Sequence, residues 1–119
     1  MYLITEYNLK NILVVIGESY IGKGVESLLS SRPGLSVDSF PFLDVNSLNN
    51  QIDSCRPNVI ILDESLLSSK RIDLSSLLMG YPKMRVLVLG IQENRLSVYD
   101  HHELIVSHSN DLVSAIERS

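Results

Sequence analysis

At 119 residues, 45% hydrophobic and 20% charged, the chain suits one globular domain over 1–119 and excludes disordered and fibrous classes. Its net charge of −4 argues against direct nucleic-acid binding by this domain, which needs a basic footprint. The single cysteine, Cys55, excludes an intramolecular disulfide and fits a reducing compartment. Residues 1–10 form an N-terminal extension with Glu6 and Asn8 where a leader would be basic and then apolar, and no apolar run approaches a membrane span. A cytoplasmic protein without a membrane partner is expected.

Short apolar runs at 12–16, 35–40, 59–62, 86–89 and, more weakly, 104–106 alternate with helix-length segments. The first, third and fourth runs are unbroken, as strands covered on both faces are, so the pattern predicts an α/β fold with a doubly wound parallel sheet. Residues 19–31 place Tyr20, Val25, Leu28 and Leu29 at helical spacing before Arg32-Pro33-Gly34 stops them. Asp44 can cap a second helix carrying Val45, Leu48 and Ile52, and Asp73 a third through Leu74, Leu77 and Leu78 that Gly80 and Pro82 end. Residues 91–103 are polar and leave room for only two turns of a fourth helix. A last helix from Asn110 carries Leu112, Val113 and Ile116 on one face.

Four strings in this order resemble the receiver domain of two-component response regulators: Asn11-Ile-Leu-Val-Val15, Ser30-Ser-Arg-Pro-Gly-Leu-Ser-Val37, Arg56-Pro-Asn-Val-Ile-Ile-Leu-Asp63 and Asn110-Asp-Leu-Val-Ser-Ala-Ile116. The resemblance implies a flavodoxin-like (βα)5 fold: a five-stranded parallel sheet in the order 2-1-3-4-5, here with the fourth helix shortened. The spacing is similar to that of regulators with a helix-turn-helix output, which would make this the regulatory domain of a transcriptional regulator.

A working receiver holds Mg²⁺ with an acidic pair after the first strand, beside the aspartate that attacks the phosphoryl donor. Asp63 aligns with that phosphoacceptor, but the acidic pair aligns with Ile16 and Gly17, and Glu18 falls one place late. Mg²⁺ binding is therefore expected to be weak or absent, with no other cofactor. Gly90 stands where the family has its switch hydroxyl, and Ser107, next to His108, where it has a lysine. The strand-five aromatic aligns near Leu104 or Ile105, which also lack the needed side chain. The reading is a pseudo-receiver that acts by protein contact independent of phosphorylation, its partners being other proteins, a second copy among them. Its alternative is a phosphorylatable receiver using Asp63.

A rival of another class is a phosphate-binding loop. Gly17-Glu-Ser-Tyr-Ile-Gly22-Lys23 follows an apolar strand with the glycine and lysine spacing that turns backbone N–H groups onto phosphates, and Asp63-Glu64 ends a later strand as in many ATPases. Gly24 opposes it, standing where a Ser or Thr would hold Mg²⁺. A small ligand at the strand ends, where Gly17, Asp63 and Gly90 converge, is a further reading. His101 and His102, between Asp100 and Glu103, read as a solvated loop, and the doublets Lys70-Arg71 and Lys83/Arg85 as solubilising turns. No nucleophile elbow, catalytic carboxylate pair or histidine-oriented serine points to an enzyme.

Overall fold

Three unbroken apolar runs, 12–16, 59–62 and 86–89, need cover on both sides, and the chain supplies it by alternating strands with helices. The structure, a computed structural model, describes residues 10–17, 21–90, 95–99 and 104–108, of which 21, 22, 95 and 104–108 by backbone only. The elements are β1 (Lys10–Ile16), α1 (Ile21–Ser30), β2 (Leu35–Pro41), α2 (Val45–Cys55), β3 (Val59–Asp63), α3 (Glu64–Ser68), α4 (Leu74–Gly80), β4 (Arg85–Gly90), β5 (Arg95–Tyr99) and β6 (Leu104–His108). They build one α/β layer structure around a sheet in the order β2-β1-β3-β4-β5-β6. β1 pairs in parallel with β2 and β3, and β3 with β4. The five strand runs read from the sequence are all present, and the order 2-1-3-4-5 holds for the first five strands.

Side-chain alternation sorts the core into two layers. Ile12, Val14, Val59, Ile61 and Leu87 face Val25 and Leu29 of α1, while Leu13, Val15, Ile60, Leu62 and Val86 face Leu48 and Ile52 of α2, Leu66 of α3 and Leu77 of α4. β2, at one margin, alternates instead: Ser36 and Asp38 are exposed between half-buried Leu35 and Val37, as suits a strand with one open edge.

Turn chemistry fixes where strands begin. Arg56 ends α2 in a left-handed conformation (φ 46°) and donates its N–H to the Ile52 carbonyl, and buried Pro57 follows. Asn58 then ties three strand starts together. Its N–H donates to the Asn11 carbonyl (2.7 Å), its carbonyl accepts from Arg85 (3.0 Å) and its Oδ1 accepts from the Asn11 N–H (2.8 Å).

The region after β4 corrects the expected all-parallel sheet with a shortened fourth helix. Residues 95–99 form a strand, β5, antiparallel to β4, and β6 runs antiparallel to β5. Only residues 91–94 separate β4 from β5, and a parallel crossover needs about a dozen residues, so a hairpin is what the length allows. Leu96 and Val98 point into the α1-side core while buried Ser97 and half-buried Tyr99 take the other face, a strand's period of two. The run at 104–106 is therefore the sixth strand in space, not the fifth. A second correction concerns the helix between β3 and β4: α4 begins at its cap Asp73 as expected, but α3 precedes it, capped by Asp63. The expected last helix from Asn110 and most of the N-terminal extension lie outside the described residues. Among those described, no helix is long and apolar enough to cross a membrane.

Candidate functional site

Parallel strands bring their carboxyl ends together, and open α/β sheets usually bind ligands there. Val14 stands opposite Ile61 and Asp63 opposite Leu89, so extending the first register by two places sets Ile16 level with Asp63. Ile16, Gly17, Asp63 and Gly90 thus share one end of the sheet, as the sequence predicts. Asp63 is 3% exposed, and its Oδ1 accepts the Ser65 N–H at 3.0 Å, closing the first turn of α3. The carboxylate that would take a phosphoryl group is a helix cap.

Its neighbour is apolar. A Cβ on Gly17 would lie 3.4 Å from Leu66 Cγ and Cδ2, and Leu66 is 1% exposed. The isobutyl group of Leu66 packs beside the glycine at the end of β1. Ile16 and Gly17 offer no side-chain oxygen, and one oxygen of Asp63 is committed to α3. Among the described residues this donor set does not fit Mg²⁺, a hard cation that takes oxygen ligands in near-octahedral order. Glu18 lies outside the described residues, as do His101, His102 and the interior of the phosphate-loop pattern. Lys23 is exposed near the start of α1, and Glu64 is exposed at the start of α3.

The two positions aligned with the switch, Gly90 and Ser107, lie on different strands. Gly90 pairs with Arg95 in the antiparallel ladder. Ser107 lies inside β6 opposite Leu96, two strands from β4 and so about 10 Å away across the sheet. The strand in fifth place does carry an aromatic residue, Tyr99, but its antiparallel course sets it against Val86, at the far end of β4 from Gly90.

That far end holds a feature the sequence did not disclose. A groove of about 580 Å³ runs between the end of α2 and the turn from α4 into β4, with Ile52, Asp53, Arg56, Pro57, Tyr81 and Lys83 among its walls. Tyr81 is fixed there: its hydroxyl donates to Asp53 Oδ1 (3.3 Å) and lies 3.4 Å from Asn49 Oδ1. Burial, and then the Asp53 carboxylate, push the hydroxyl above its ordinary range, so it stays a protonated donor near neutral pH. Arg56 and Lys83 are exposed, and their side chains make no hydrogen bond or ion pair among the described residues. Half-buried Cys55 packs against the α2-side core, and burial, then Asp38, raise its thiol above the ordinary value.

No protein-family model matches the chain, and neither a curated protein nor a solved structure matches it.

Proposed function

We propose that the chain is a receiver-like domain of flavodoxin-like descent that works by contact with another protein, without phosphoryl transfer. The observation that carries this reading is the treatment of Asp63: buried, capping α3, and flanked by Leu66 and Gly17 where a second carboxylate would stand. A phosphoryl group there would meet no metal ligand set among the described residues, and the position that aligns with the receiver lysine is Ser107, two strands beyond β4. The strand order of the first five strands and the four receiver-like strings support the ancestry. The hairpin antiparallel to β4 alters the margin where a receiver would carry its fourth helix, so the reading does not rely on that margin for partner contact. A cytoplasmic regulatory domain of a transcriptional regulator is the setting that fits these features, with no catalytic step of its own.

The test is intact mass after incubation with acetyl phosphate and Mg²⁺, beside the Asp63→Asn variant. An unmodified mass, under conditions that label an ordinary receiver, is expected. A phosphoryl adduct absent from Asp63→Asn would overturn the reading in favour of a working switch.

A further inference from the structure

Because β1 to β4 run the same way, whatever precedes each strand gathers at one end of the sheet. Lys10 opens β1, Arg32 precedes β2, Arg56 precedes β3, and Lys83 and Arg85 lead into β4. Asp44, Asp63 and Glu64 follow strands and stand at the opposite end. The chain is acidic in sum, yet one of its ends is entered through a cation at every parallel strand.

The groove opens at that basic end. Its floor is apolar, with buried Ile52 and Pro57 beside the fixed ring of Tyr81, and Arg56 and Lys83 are its uncommitted charges. Its one acid, Asp53, is engaged by the Tyr81 hydroxyl.

We propose that this groove takes a short acidic segment of a partner protein, seating an apolar side chain on the floor and carboxylates against Arg56 and Lys83. Arg56 offers a planar fork suited to a carboxylate, and Asp53 can still accept a backbone N–H from the segment. The Asp53 carboxylate in the wall and the net negative charge disfavour a nucleic-acid backbone, which needs many unopposed cations. The proposal rests on the contact-module reading and adds to it the surface and the chemistry of the partner.

The experiment is fluorescence anisotropy of the full chain with three labelled probes: a pool of short peptides alternating Asp or Glu with Leu, Ile or Phe, the same pool built on Lys, and a short oligo(dT). The acidic pool is expected to bind about tenfold or more tightly than the Lys pool, and to weaken as salt rises. The R56E/K83E variant should lose about tenfold or more of that affinity. Both side chains are exposed, so its thermal midpoint should match the parent; if it does not, Arg56→Gly and Lys83→Ala separately carry the same test. No anisotropy change with the acidic pool, equal binding of the two peptide pools, or undiminished binding by the variants overturns the proposal. Tighter binding of oligo(dT) would overturn it too, and give the face to nucleic acid. An adduct on Asp63 would sink the contact-module reading while leaving these titrations intact; silent titrations with no adduct would sink the groove alone.

Discussion

The two ends of the parallel sheet are finished in opposite ways. Where the strands stop, functional groups are folded into the structure: Asp63 caps α3, Leu66 covers Gly17, and Gly90 joins a ladder. Where the strands start, a groove stays open and two cations at its walls are uncommitted among the described residues. Among the described residues, the side chains at the end where such sheets ordinarily meet their ligands are engaged in the fold, and the uncommitted charges stand at the other end.

The sharpest way to break this contrast is Leu66→Ala. Removing a side chain buried to 1% exposure should cost about 2–5 kcal/mol in chemical denaturation. A loss below about 1 kcal/mol would mean that the carboxyl end is not sealed by this residue. Next in size is Asp63→Ala, which should cost about 1 kcal/mol through the lost cap, whereas Asp63→Asn keeps an oxygen for the Ser65 N–H and should stay near the parent. Equal losses in the two variants would show that the fold uses the charge of Asp63 and not only its oxygen as a cap.

At the groove end, Arg56→Gly relieves a left-handed backbone at φ 46°. A gain of up to about 1 kcal/mol is expected together with weaker peptide binding, so stability and affinity should move in opposite directions. If both fall, Arg56 supports the fold through contacts other than its charge.

The smallest effect concerns Asp44, the cap of α2. The Ser47 backbone N–H, and then its hydroxyl, hold the carboxyl below its ordinary value of 3.8. Its folded-state value is lowered, so the stability it contributes is fully present above 3.8 and is lost as pH falls through the lowered value. Helical circular dichroism on acid titration should show a component that Asp44→Asn lacks; identical titrations would remove Asp44 as its source.

Strands β1, β3 and β4 could be read directly because uninterrupted apolar runs have few alternatives to burial on both faces. β5 was hidden by its setting. Leu96 and Val98 already show a period of two, but they are surrounded by polar residues, and the resemblance to receivers reserves that stretch for a helix. α3 escaped because five residues are too few to display a helical period. Asp63 was visible as the last residue of a strand, but its capping role depends on a helix too short to be read. Leu66 gave no sign of its place, since what matters is its packing against a glycine far away in the chain. The groove was equally unreadable: it joins the end of α2 to the turn before β4, and nothing local marks Asp53 and Tyr81 as partners.

The hairpins at the far margin also bear on the order of assembly. Asn11 and Asn58 meet across 47 positions, whereas Gly90 meets Arg95 across only five. Loop-closure entropy rises by about 0.6 kcal/mol per doubling of length, so the first pairing costs about 2 kcal/mol more to bring together. Hairpins close in roughly microseconds, and β4 to β6 can zip up before the amino-terminal strands find their places. Substitutions that weaken the β4–β5 pairing should then slow refolding, while those in the β1–β3 contact should chiefly hasten unfolding.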